Sequence, residues 1–129
     1  MGFDSDQVHL MKGCRWLEGH QIPWKSVTVP YLEQPEKVVA VVEEIKLTKP
    51  RAVIVIASHS TGLPGLIAGG LREENILVFG VRSSAPSGQS VTEDGTFNVS
   101  ALPPGINVAY CGFNNPGFAT ACEMAAKLP

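Results

Sequence analysis

The run Ala52-Val53-Ile54-Val55-Ile56-Ala57 decides the fold of this chain. Six apolar residues in succession, the middle four β-branched, read as a strand buried on both faces, which is the pattern of a parallel sheet covered by helices. Lys49-Pro50 just before it breaks whatever helix precedes. Downstream, Ser58 to Gly62 is a small polar loop, Leu63 to Leu71 a short helix, and Ile76 to Val81 a second buried strand. Strand, helix and strand at this spacing make a βαβ unit.

The same rhythm extends both ways. Residues 82–102 are rich in Ser, Gly and Thr and carry no strong period. Ile106 to Cys111 reads as a last strand, and Pro116 to Lys127 as an Ala-rich terminal helix with Asn114 or Asn115 available as its cap. Upstream, Pro35 suits a first helical turn, and Val38, Val39, Val41, Val42 and Ile45 form an apolar stripe behind it. Trp24 to Val29 alternates apolar and polar residues, which predicts a strand ended by Pro30. Gln7 to Glu18 carries Val8, Met11, Cys14 or Arg15, and Leu17 at helical spacing, with Asp6 as a cap and Gly19 as a stop.

Composition narrows the function classes. A chain of 129 residues is expected to form one domain spanning its whole length. Its 44% apolar and 17% charged residues are a globular balance. A net charge of −2 without a Lys/Arg cluster gives nothing to attract a phosphate backbone, so nucleic acid is not an expected partner. The longest apolar runs fall far short of the roughly 20 residues that cross a bilayer, and Met1 to Asp6 is not a signal peptide. Cys14, Cys111 and Cys122 lack paired C-x-x-C spacing, so they read as reduced and buried rather than as a metal or redox site. All this fits a cytoplasmic protein without membrane contact.

Alternating strands and helices predict an α/β fold, a three-layer αβα sandwich around a parallel, flavodoxin-like sheet. Such sheets bind ligands beyond the carboxyl ends of their strands. The site loops to expect are therefore Gly2 to Asp6, Pro30 to Gln34, Ser58 to Leu63 and Arg82 to Gly88. The chain opens at a turn leading into a helix, where a fold of this kind has its first strand. That strand reads as missing or truncated, which implies a misassigned start or unpaired ladder groups on its neighbours.

Several segments carry a resemblance. Gly2-Phe3-Asp4-Ser5-Asp6 is similar to a G-S-x-S-D turn, and Ala57-Ser58-His59-Ser60-Thr61-Gly62-Leu63-Pro64-Gly65 to the loops A-G-x-A-A-H-L-P-G and A-G-R-S-N-G-L. Leu102-Pro103-Pro104-Gly105-Ile106-Asn107-Val108 resembles M-P-x-G-I-P-V, and Gly117-Phe118-Ala119-Thr120-Ala121 the small-residue start of a last helix. In this order and spacing the chain resembles the PurE family, the carboxyaminoimidazole ribonucleotide mutases and aminoimidazole ribonucleotide carboxylases of purine (IMP) biosynthesis. The resemblance implies an octamer with sites between subunits. It also implies a carboxyl transfer on a small-molecule nucleotide substrate without metal or organic cofactor.

The site positions follow the family unevenly. The family's histidine and basic residue at the end of its second strand align with Leu32 and Glu33, and its phosphate-side serine with Phe3. His59 aligns with the arginine of the carboxylase loop. It is the histidine placed for acid/base work or ligand binding, against a plain loop histidine with solvent partners. Ser5 and Asp6 match ribose and phosphate contacts and can also cap the first helix. Ser58, Ser60 and Thr61 can present hydroxyls, and with Gly62 and Leu63 backbone N–H groups, to an anion at the following helix start, or simply make a good turn. Ser83 and Ser84, with Ser87 and Gly88, resemble the family's S-G-x-D-S loop without its Asp. Tyr31 and Glu33 can form a substitute site, His9 and His20 read as surface residues, and Trp16 and Trp24 as packing residues. Three functions are thus in view: a PurE-like enzyme, a non-catalytic paralogue that binds or assembles, and a carboxylase for another heteroaromatic nucleotide, which needs a cysteine facing its ligand.

Overall fold

In the computed structural model, residues 11–29, 33–57, 62–83, 106 and 108–128 are described. Ala52–Ala57 is strand β1 and Leu77–Arg82 is strand β2. They pair in parallel from Ala52 opposite Leu77 to Ala57 opposite Arg82. Ala109–Phe113, strand β3, joins the other side of β2 in parallel, with an irregularity between Gly80 and Arg82. Among the described residues the sheet has three strands in the order β1-β2-β3. The helices are α1 (Met11–Gly19), α2 (Glu36–Thr48), α3 (Leu63–Gly70) and α4 (Asn114–Ala126).

The continuous apolarity of β1 has the cause inferred from its sequence, for both its faces are covered. Val55 and Ala57 join Val38 and Val42 of α2 and Leu63, Ile67 and Ala68 of α3 in one core. Ile56 turns the other way and joins Phe79 and Val81 of β2, Leu17 of α1, and Phe118, Ala121 and Cys122 of α4. The result is an α/β sandwich of three layers, helices α2 and α3 above the sheet and α1 and α4 below. Burying one Val, Ile or Leu side chain stabilises by about 1.5–3 kcal/mol. Core residues therefore outweigh a surface ion pair such as Lys25 with Glu44, both substantially exposed, by severalfold.

Helix limits follow local chemistry. α2 ends where Lys49 takes a left-handed backbone, φ 49°, and returns its N–H to the Ile45 carbonyl at 2.9 Å; Pro50 then forbids another turn. Val38 and Val42 of its apolar stripe are buried, whereas Val39 is 64% exposed. α1 lies close against α4 because Gly13 has no side chain, since a Cβ there would meet the Phe118 ring at 2.3 Å. Gly117, in the first turn of α4, sits on the backbone of Gly112, 2.6 Å from where its own Cβ would be.

Trp24 to Val29, expected to be a strand, belongs to no sheet among the described residues. Alternation selects which side chains turn inward, but a strand also needs a neighbour to complete its ladder. Here the inward positions are kept, with Val29 3% exposed and Val27 packed on the same core, and among the described residues no strand pairs with them. β1 lies where the sequence reading places it, whereas β2 begins and ends one residue later than expected and β3 begins three residues and ends two residues later. No helix among the described residues is long and apolar enough to cross a membrane.

Gly117→Ala is expected to lower unfolding stability by about 1–3 kcal/mol, because the obstructing atoms are backbone and cannot swing away. Gly19→Ala, with nothing within 4 Å of the added carbon, is expected to leave stability unchanged or raise it by up to about 1 kcal/mol. Urea unfolding of the two variants checks the contrast.

Candidate functional site

Because the three strands run in parallel, their carboxyl ends Ala57, Arg82 and Phe113 lie along one edge of the sheet. The ends of β1 and β2 are tied together there, the Ser83 N–H donating to the Ala57 carbonyl at 2.8 Å. Ser83 itself is 1% exposed, the buried polar residue of the core. Across β2, Arg82 stands opposite Phe113, the last residue of β3, after which α4 begins directly at Asn114.

Helix α3 begins on the same edge. Gly62 precedes it without a side-chain cap, and the first backbone bond of the helix runs from the Leu66 N–H to the Gly62 carbonyl at 2.8 Å. The N–H groups of the first turn are thus left without a partner inside the helix, and Pro64 removes one of them. Leu63 is 1% exposed with its side chain in the core, so what it can offer a ligand is its backbone N–H. The helix dipole adds a partial positive charge at this point.

Among the described residues, two side-chain atoms at this edge are buried without a hydrogen-bond partner: Nε of Arg82 and Oδ1 of Asn115. One donates and the other accepts, and α4, which carries Asn115, packs against β2, which carries Arg82. An unsatisfied buried polar atom costs about 1–3 kcal/mol, so a ligand that offered an acceptor to Arg82 and a donor to Asn115 would gain by binding at this edge. An anion suits Arg82, whose guanidinium is always charged and takes carboxylates or phosphates in a fork. Asn115 would accept from an amino or hydroxyl group beside that anion.

Of the residues expected at the site, Gly62, Leu63 and Ser83 gather on this edge. Glu33 is described and exposed. Phe3, Ser5, Asp6, His9, Tyr31, Leu32, Ser58, His59, Ser60, Thr61, Ser84, Ser87 and Gly88 lie outside the described residues. The sequence reading placed Arg82 only as the start of a site loop and Asn115 only as a possible helix cap, and gave neither a ligand role. The available signal was a lone arginine closing the apolar run Leu77-Val78-Phe79-Gly80-Val81, where a solvated loop residue was the simpler expectation.

His20 is exposed, as expected, and stacks on Trp16 with ring centroids 4.1 Å apart and Nδ1 2.8 Å from the Trp16 carbonyl. Trp24 is 45% exposed rather than packed. The cysteines are free. Cys122 is fully buried, while Cys14 and Cys111 are half-buried. Burial raises all three thiols, Cys14 with help from Glu18 and Cys122 with help from Cys14 and Glu123, the last up to about 12. Neutral thiols are poor nucleophiles, so the described surroundings do not favour a cysteine-dependent reaction. Among the described residues no group of three or more His, Cys, Asp or Glu can hold a metal ion. No family model matches the chain.

Arg82→Met keeps the stem and removes the unpartnered Nε. It is expected to leave thermal stability equal or higher while abolishing stabilisation by millimolar ribose 5-phosphate in a thermal-shift titration. A variant less stable by more than about 1 kcal/mol would make the guanidinium structural. Cys122 is expected to resist thiol reagents at pH 8 until the protein unfolds. Its folded pKa lies above the ordinary 9.0, so the folded state keeps a proton the unfolded chain loses. Stability should therefore fall as pH rises from about 9 toward 12. Urea midpoints measured across that range check the sign.

Proposed function

We propose that this chain is a PurE-like enzyme that moves a carboxyl group onto, or within, an aminoimidazole ribonucleotide. The observation that carries the reading is the Arg82 Nε, buried without a hydrogen-bond partner among the described residues, at the carboxyl edge of a parallel sheet, the edge on which α3 begins. The ligand such an edge suits carries phosphate or carboxylate; an aminoimidazole ribonucleotide carries a phosphate, and its carboxylated forms carry a carboxylate as well. Support also comes from the order and spacing of the four segments that resemble the PurE family.

The chemistry assigns roles. Carboxylation forms a bond between a ring carbon and carbon dioxide, and the proton on that carbon leaves to a base. In the mutase direction the carboxyl first leaves the exocyclic nitrogen, which takes up a proton, and then re-adds at carbon. His59 is our proton carrier, since imidazole exchanges protons near neutral pH. Ser5 and Asp6 would hold ribose and phosphate. Ser58, Ser60, Gly62 and Leu63 would offer hydroxyl and N–H donors, and Ser83 with Ser84 would border the ring. Arg82 would face the carboxylate as it transfers, the place where developing charge most needs a fixed partner. No metal or organic cofactor enters. The working form would be a cytoplasmic homo-octamer, by the same resemblance.

A second reading rests on Leu32 and Glu33. Leucine moves no proton, and a carboxylate near a substrate phosphate repels it. A paralogue that binds a nucleotide or assembles without catalysis would tolerate both. Purified protein incubated with aminoimidazole ribonucleotide plus bicarbonate, and separately with its carboxyamino derivative, is followed by ultraviolet absorbance. Turnover is expected in at least one case, falling about 100-fold or more in His59→Asn. Flat traces in both, with the nucleotide still bound, would transfer the assignment to the non-catalytic reading.

A further inference from the structure

Sequence spacing sets Cys14 and Cys122 far apart, and the fold brings them together. α1 packs on α4 below the sheet. The two helices touch at Gly13, where a Cβ would meet the Phe118 ring at 2.3 Å and the Cys122 sulfur at 2.9 Å. That sulfur therefore lies within about 4.5 Å of the Gly13 Cα, and the Cα of Cys14 is only about 3.8 Å from the same atom. Both thiols belong to the cluster around Leu17, Ile56 and Phe118, Cys122 at 0% exposure and Cys14 half-buried at its margin. Both also line one cavity, together with Leu17, Phe118 and Ala125.

Charge on Cys14 is felt at Cys122, whose thiol is raised first by burial and then by Cys14, an effect of groups a few ångströms apart. Cys111 is placed differently. It sits on β3, does not line that cavity, and gives its Sγ–H to the Ala109 carbonyl at 3.6 Å. A disulfide needs Cα atoms about 4.4–6.8 Å apart. Packed helices usually keep their axes about 8–10 Å apart, and a glycine at the contact draws them to the short end of that range, so side chains beside Gly13 and Phe118 come within bridging reach.

We propose that Cys14 and Cys122 are a reversible thiol–disulfide pair, Cys14 the entry point for a low-molecular-weight disulfide and Cys122 the resolving thiol, whose bridge fastens α1 to α4. This modification site is independent of the function read from the carboxyl edge of the sheet. In the first step the Cys14 thiolate attacks one sulfur of the external disulfide; a Cys14 mixed disulfide forms, and the released thiolate takes up the proton that Cys14 gave. Cys122 then loses its proton and attacks the Cys14 sulfur, and the second external thiol leaves with that proton. Two protein thiols are oxidised and one external disulfide is reduced to two thiols. Raised thiols make the exchange slow in both directions, since few are ionised to attack and each is a poor leaving group once bridged. The bridge would enclose nearly the whole described chain and so remove much freedom from the unfolded state.

The test incubates the full 129-residue protein, with its Cys14→Ala, Cys122→Ala and Cys111→Ser variants, in glutathione disulfide at pH 8. Remaining thiols are alkylated, peptides are mapped by mass spectrometry, and thermal midpoints are read before and after. In the unaltered protein, reactive thiols are expected to fall from three to one, with the Cys14 and Cys122 peptides linked. The midpoint is expected to rise by at least about 5 °C, and dithiothreitol to reverse both changes. Cys111→Ser should bridge in the same way, Cys122→Ala should stop with glutathione on Cys14, and Cys14→Ala should leave Cys122 unmodified. If Cys122→Ala fails to fold, the peptide maps of the unaltered protein and Cys111→Ser decide alone. The proposal is overturned if glutathione stays on Cys14 of the unaltered protein or no thiol reacts. It is overturned equally if the link runs to Cys111 or to a second molecule, or if the bridged protein melts below the reduced one.

Discussion

The pairing of β1 with β2, clamped between two helical layers, is the constraint on which the rest of the structure depends. Each residue of Ala52–Ala57 commits its side chain to one of two cores, and Val55, Ile56 and Ala57 are all at most 5% exposed. A one-residue slip of register would exchange the two sets and leave the Val55 and Ile56 shapes in the wrong layers. The fixed register also fixes the edge at which the strands end, and so brings Ser83 to the Ala57 carbonyl and Arg82 level with Phe113. Position at the site is a consequence of packing inside the sheet.

Much of that frame was legible in the sequence, for physical reasons that differ element by element. β1 and β2 announce themselves because burial on both faces demands unbroken apolarity. α2 does so through Val38 and Val42 at helical spacing and the Lys49-Pro50 stop. Trp24 to Val29 shows where reading alternation fails, since side-chain pattern records which face is inward and says nothing of whether a neighbouring strand exists. Close approaches at Gly13 and Gly117 were equally hidden, because a glycine in a helix looks like weakness until the atom it makes room for is known.

The candidate site was legible at the level of loops. Parallel topology points to the carboxyl ends of the strands, and Gly62, Leu63 and Ser83 lie along that edge. No ligand role was legible for Arg82 or Asn115, because what distinguishes them is a buried atom without a partner among the described residues, a property of three-dimensional placement rather than of residue type. An arginine at the end of a strand is ordinary; one whose Nε is buried and unsatisfied is not. The polar orphans lie at the carboxyl edge, at the end of β2 and the start of α4.

The most direct test of the account is a nuclear magnetic resonance titration that follows the Arg82 Nε–Hε signal as ribose 5-phosphate or aminoimidazole ribonucleotide is added. A site at the carboxyl ends of the strands predicts that this signal moves saturably and exchanges more slowly with solvent, together with the amides of Gly62, Leu63 and Ser83. A stationary Arg82 signal, with perturbations gathered on another face of the sandwich, would contradict it.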